Sequence, residues 1–153
     1  MPNIKEVKGY LAERGIAVQE FAVPTPTSAA AAAAVGCSVA EIAKTILLLV
    51  GGRPVVVVAS GDVRVKGPLL KRATGYSGQV RLPAPQEVLR HTGFAPGGVC
   101  PFLLPAALPV LIDASLRRFA VVYLAAGNDR SAVPIDVDRL VELTGGREAS
   151  VCA

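Results

Sequence analysis

The sequence predicts an α/β fold with a mixed β-sheet surrounded by helices, and three observations carry that reading. Segments with helical spacing alternate with short apolar runs, without a strict βαβ rhythm. Several neighbouring runs are close enough in the chain to pair as hairpins, which a doubly wound parallel sheet does not allow. The chain is 52% hydrophobic and 18% charged, with a mean hydropathy of +0.48, so it has the apolar mass for a packed core and lies far from the disordered class. At 153 residues, with no repeat and no linker-like stretch, it is expected to form one domain over residues 1–153.

Ile4, Val7 and Leu11 recur at helical spacing and Gly15 follows as a stop, which predicts a helix over residues 3–14. A strand is expected at 17–23, broken by Pro24 and Pro26. Thr27 or Ser28 then caps a helix through the alanine tract to Gly36. Ser38 and Glu41 have capping-box spacing and start a short helical turn that delivers the chain to Lys44. The runs 45–50 and 54–60, split by Gly51-Gly52-Arg53, predict a buried hairpin. Leu69, Leu70 and Ala73 support a helix ending at Gly75, and a second runs from Pro85 to Thr92, stopped by Gly93. Two prolines and two glycines between Phe94 and Phe102 dictate an irregular loop. Strands are expected at 109–113 and 119–125, joined through a turn over 114–118, and at 131–135. A helix capped by Asp136 or Asp138 should run to Leu143, with a last strand at 148–152.

The net charge of +4 is unevenly placed. Residues 44–91 hold eight basic groups, from Lys44 to Arg90, against only Asp62 and Glu87, for +6; the flanking segments are each −1. Such a block invites a polyanion such as nucleic acid, while a solvated basic face reads the same charge without a partner. Aromatic residues make up 5% with no Trp, so recognition by base stacking is disfavoured and phosphate contacts, weakening steeply with salt, are expected instead.

Cys37, Cys100 and Cys152 are odd in number and widely spaced, which suits a reducing compartment. One histidine, His91, and no Cys cluster leave no metal site to expect. The N-terminal stretch has no apolar signal region, and the longest apolar runs fall well short of the roughly 20 residues of a membrane span, so a cytoplasmic location away from membranes is expected.

Familiar catalytic templates fail. Lys66 precedes a glycine with no Ser or Thr after it, so Gly61–Gly67 is not a P-loop; GxSxG and HExxH do not occur. Cys100 with His91 as base is conceivable as a nucleophile pair, but a lone Cys also serves as a small buried hydrophobe and a His at a helix end suits the helix dipole. Two features are more distinctive. Lys44 enters an apolar strand with its ammonium at the rim, placed either to bind phosphate or a carbonyl oxygen or simply to snorkel. Gly97-Gly98-Val99-Cys100-Pro101 permits close approach of a ligand to backbone N–H groups, or is a tight crossover.

In order and spacing, several segments together resemble the YbaK/prolyl-tRNA synthetase-associated editing domain family, over roughly residues 20–145. They are Ala43-Lys44-Thr45, Gly61-Asp62, Thr92-Gly93-Phe94 leading to Gly97–Phe102, Pro109–Leu116 and Ala126-Gly127. The resemblance implies a mixed, partly barrel-like sheet enclosed by helices, and a freestanding aminoacyl-tRNA deacylase without cofactor or metal. Its substrate would be tRNA, typically that for proline, carrying a wrong small amino acid such as Cys or Ala. By the same resemblance Lys44, Gly97 and Gly98 are the catalytic residues, the lysine as cation near the tRNA 3′ end or the ester and the loop as backbone donors. Thr45, Val99, Cys100, Pro101, Gly127 and Asn128 contact substrate. Cys100 stands where many members carry Ser, and Asn128 where a basic residue is common. The resemblance also allows an aminoacyl-tRNA synthetase as partner, and a monomer or a homodimer. An alternative from another class is a non-catalytic module that binds an aminoacyl group or tRNA 3′ end; a third is a small esterase using Cys100.

Overall fold

The computed structural model describes residues Asn3 to Ala153; Met1 and Pro2, at the head of the stretch read above as lacking a signal region, lie outside it. Helix α1 (Ile4–Ala12) begins where Asn3 accepts the Glu6 N–H, and it buries Val7 and Leu11. Strand β1 (Gln19–Glu20) is only a fragment of the expected 17–23. It is an edge strand pairing with one neighbour, and Pro24 and Pro26 cannot donate to a ladder. Helix α2 (Ser28–Val35) is capped by Thr27 and closed by Gly36 in the left-handed conformation, and Ser38 and Glu41 form the expected box around a 3₁₀ turn at Val39–Glu41.

Strands β2 (Ala43–Val50) and β3 (Arg53–Ser60) pair over their full length. Gly51 and Gly52 both have positive φ, 56° and 84°, the signature of a two-residue turn whose twist matches the strands. Then come α3 (Gly67–Thr74), β4 (Val80–Arg81), α4 (Pro85–Thr92), β5 (Val110–Asp113), a 3₁₀ helix at Ala114–Arg118, β6 (Val122–Leu124), β7 (Ser131–Ile135), α5 (Val137–Thr144) and β8 (Arg147–Ala149). No helix among the described residues is long and apolar enough to cross a membrane.

The mixed α/β class holds, but the strands form two sheets rather than one. A five-stranded mixed sheet has the order β4-β2-β3-β5-β8, with β3, β5 and β8 parallel; a three-stranded antiparallel sheet has the order β1-β7-β6. Strands β5 and β6, expected as neighbours across 114–118, therefore sit in different sheets. The cause is local: the Asp113 carboxylate accepts the Ser115 N–H and winds the chain into a 3₁₀ helix, which carries it off the sheet. The sheets meet at a parallel bridge between Ile42 and Tyr123, so the edge of β2 is shared by β6 at its start and β4 at its end.

The central hairpin is apolar on both faces because both faces are covered. Leu47, Val56 and Val58 pack with α1, Phe94, Phe102 and the small sheet; Leu48, Val50, Val55 and Val57 pack with Leu70 of α3 and with Val151. Strand alternation then decides the site. Lys44 shares its face with Ile46 and Leu48, whereas Thr45 shares the opposite face with Ala43 and Leu47.

Candidate active site

A cleft of about 190 Å³ opens where the two sheets meet. One wall is the segment Thr25–Ser28 leading into α2, the floor is Ile42–Thr45, and the back is Tyr123–Ala125 with Ser131 and Ala132. The opposite wall is Gly97, Val99 and Asn128. The cleft is below the roughly 300–1,000 Å³ of pockets for drug-sized ligands and suits a smaller group.

Of the residues singled out in the sequence, Lys44, Thr45, Gly97, Val99 and Asn128 border this cleft. Gly98, Cys100, Pro101 and Gly127 do not line it. Gly98 is buried, its N–H donating to the Ala95 carbonyl, and a Cβ there would lie 2.8 Å from Asn128 Cα and 3.0 Å from Asn128 N. Gly127, at φ 103°, packs against Val7 and Phe94. The two glycine segments, some thirty positions apart in the chain, are thus pressed backbone to backbone, and that contact sets the wall.

Cys100 is fully buried in the core and its thiol faces the Phe102 carbonyl at 3.7 Å. Burial pushes the thiol up to about 12, so the thiolate a nucleophile needs is absent at neutral pH. His91 contacts Arg90, not Cys100. The structure removes the Cys100 esterase alternative.

The Lys44 ammonium donates to the Val63 carbonyl, just beyond the Gly61-Asp62 turn. That turn abuts the cleft wall: the Gly61 N–H donates to the Ile42 carbonyl at 2.7 Å, and a Cβ on Gly61 would collide with the Val39 carbonyl and come within 2.9 Å of Ser28 Cβ. Glycine is required there by the close approach of the 3₁₀ turn at Val39 and of the first residue of α2. On the other face of β2, Lys44 also borders a groove of about 360 Å³ with an apolar floor (Ile46, Leu48, Val65, Val80) and Arg64 and Arg81 at its rim. Within the basic block, Arg81 and Arg90 share Glu87. Lys44, Arg53, Arg64, Lys66, Lys71 and Arg72 form no ion pair among the described residues, and Asp62 is taken by Arg118 from outside the block.

Sequence reasoning missed the Thr25–Ser28 wall and Tyr123. The Pro-Thr-Pro-Thr stretch reads only as a strand breaker and cap, and nothing local announces that it faces the lysine. Thr45 carries a further signal visible only in three dimensions: its Oγ1 is buried with no hydrogen-bond partner among the described residues.

The fold and cleft are those of a small α/β domain built around a hairpin and a glycine-walled pocket, and comparison with known proteins gives it a family. Residues 22–143 match the aminoacyl-tRNA editing domain. The chain belongs to this family, also called the YbaK family. It is 32% identical over 145 residues to the uncharacterized protein YwhH of Bacillus subtilis (strain 168), covering 93% of this chain and 91% of that one. Among solved structures, one described as a candidate trans-editing enzyme for prolyl tRNA synthetase superposes with a TM-score of 0.88 at 31% identity, covering 100% of this chain and 98% of that one. A hypothetical protein superposes at 0.85 with 33% identity, covering 96% and 99%.

Proposed function

We propose that this protein is a trans-acting hydrolase that removes a small wrong amino acid, Cys or Ala being the leading cases, from mischarged tRNA, most naturally tRNA for proline. The observation that carries the reading is the convergence of Lys44, Thr45 and Gly97 on one small cleft at the junction of the sheets. An aminoacyl ester is already activated, so binding, orientation and oxyanion stabilisation suffice, with no protein nucleophile, cofactor or metal.

In this mechanism the aminoacyl group enters the cleft and the tRNA end lies along the basic face that begins at Lys44. The ammonium of Lys44 moves from the Val63 carbonyl to the terminal nucleotide or the ester oxygen. Gly97, at φ 88°, turns the loop backbone toward the ester. Water, assisted by the 2′-hydroxyl of the terminal adenosine, adds to the ester carbon. The bond to the 3′ oxygen breaks, releasing the amino acid and leaving the tRNA with a free hydroxyl. The cytoplasm, where charged tRNA is used, is the place of action.

The test is a deacylation panel of tRNA for proline and one other tRNA, each charged with Ala, Cys, Ser and Pro, run with wild type and Lys44→Ala. Turnover of a mischarged species that Lys44→Ala abolishes, with the fold retained, supports the reading. Full activity in Lys44→Ala refutes the role of the lysine, and binding without any turnover selects the non-catalytic module.

A further inference from the structure

Lys44 is held by a turn, and the turn is held by an arginine that no motif singles out. The Val63 carbonyl that receives the ammonium is the last residue of Gly61-Asp62-Val63. The Asp62 carboxylate accepts two hydrogen bonds from Arg118, at 2.6 Å from Nη2 and 3.0 Å from Nη1. Arg118 Nε donates to the Ser115 carbonyl at 2.8 Å, so all three guanidinium nitrogens are engaged. Ser115 is anchored in turn: its N–H donates to Asp113 at 3.0 Å, and its Oγ accepts the Ser60 N–H at 3.2 Å. A chain of contacts thus runs from the 3₁₀ helix after β5, through Arg118 and Asp62, to the carbonyl that holds Lys44.

Stability does not explain this arrangement. Both side chains are about two-fifths exposed, 44% and 39%, and exposed pairs contribute little to folding. The bidentate geometry instead fixes direction, because a planar guanidinium meets a carboxylate in one orientation. The Asp62 carboxyl is held below the usual range first by the Arg118 hydrogen bond, and the charge of Lys44 adds to the same effect, so the lysine and the carboxylate sense one another.

We infer that Arg118 and Asp62 form the positioning device of Lys44: the ion pair fixes the Gly61-Asp62-Val63 turn and so aims the Val63 carbonyl, which holds the ammonium at the cleft rim before substrate arrives. The inference rests on the reading of Lys44 as the functional cation. It separates the two members of the pair from ordinary surface charges, and it gives the Gly61-Asp62 turn a task beyond closing the hairpin.

The experiment compares Arg118→Ala and the exchanged pair Asp62→Arg/Arg118→Asp with wild type, in the full chain. Kinetics on the mischarged tRNA, the unfolding midpoint, and the NMR signal of the Lys44 ε-methylene, assigned with Lys44→Arg, are the readouts. Arg118→Ala is expected to lower kcat about 10- to 100-fold, the scale of a 1 Å misplacement, with KM and the midpoint almost unchanged. The exchanged pair is expected to keep the wild-type midpoint and not to recover kcat, since residue 62, next to the carbonyl that holds Lys44, then carries a positive charge. Recovery of wild-type kcat in the exchanged pair overturns the inference, as does an effect confined to KM or a kcat loss that merely follows unfolding. If wild type deacylates no substrate, the proposed function fails, and the inference is decided by NMR alone. A shifted Lys44 signal in Arg118→Ala upholds the positioning, and an unchanged one overturns it.

Discussion

Replacing Gly98 by Ala isolates the contact that forms the cleft wall. Gly98 does not have positive φ, so alanine suits its backbone and the penalty is steric alone. The added Cβ would stand 2.8 Å from Asn128 Cα, 3.0 Å from Asn128 N and 3.0 Å from the Gly127 carbonyl carbon. Ordinary contact begins at 3.4–4 Å, and all three atoms are backbone, so the two loops must part by roughly 0.6–1.2 Å. Overpacking of this kind costs about 1–3 kcal/mol. For a chain of this size that is a fall in Tm of roughly 2–12 °C. The same displacement moves Gly97 and Val99 against the floor of the cleft, and misplacement by 1 Å is worth up to about 100-fold in rate. Thermal unfolding followed by circular dichroism, with deacylation of the best substrate in the panel, measures both. Gly97→Ala is the control: its Cβ meets only Asp129 Cβ at 3.8 Å, so its cost, about 1–2 kcal/mol, comes from the positive φ without a clash. A Gly98→Ala variant with wild-type midpoint and rate would refute the idea that this backbone contact shapes the site.

Thr45→Val removes a buried hydroxyl that has no partner among the described residues, so it is expected to raise stability by about 1 kcal/mol, seen as a higher Tm; a lower Tm contradicts the placement of Oγ1. With its thiol pushed up to about 12, Cys100 should escape alkylation in the native protein at pH 8, as peptide mass spectrometry would report, and treatment should leave activity intact. Glu87 is lowered from 4.5 to about 2, first by the Arg81 hydrogen bond and then by the Ala84 N–H. Because the folded value is depressed, its contribution is present above about 4.5 and is lost as pH falls toward 2. Asp113 works in the same direction: burial raises it, but hydrogen bonds from Ser115 and Val151 outweigh burial and hold it low. Unfolding midpoints should therefore drop on acidification, and Asp113→Asn should flatten that dependence; a midpoint that rises with acid refutes it.

Much of the fold was legible because its signals are local. Thr27 and Asp136 cap helices by bonding N–H groups three residues on, and Gly36, Gly75 and Gly93 end helices by adopting the left-handed conformation. The Gly51-Gly52 pair announced the hairpin for the same reason. What read poorly was short and set by pairing: β4 has two residues and no periodicity, the strand expected at 119–125 forms only at Val122–Leu124, and the strand expected at 148–152 is split. There β8 lies on β5 while Cys152 crosses to Val65. In the site, lysine and loop were visible as chemistry in an unusual setting, whereas Gly98 and Gly127 could not be told from the lining residues by type alone.

By itself, then, the sequence determined the helices and their stops, the central hairpin, the concentration of charge from Lys44 onward, and the segments that mark the editing-domain family. Tertiary structure alone decided that β5 and β6 lie in different sheets, that Thr25–Ser28 walls the cleft, that two glycine segments far apart in the chain meet, and that Arg118 reaches Asp62 beside Lys44. The reason is one of range. A cap, a turn or a glycine stop acts across a few residues of one chain segment, while a cleft is made from segments that share no local signal and are brought together only by burying the two faces of β2 and β3.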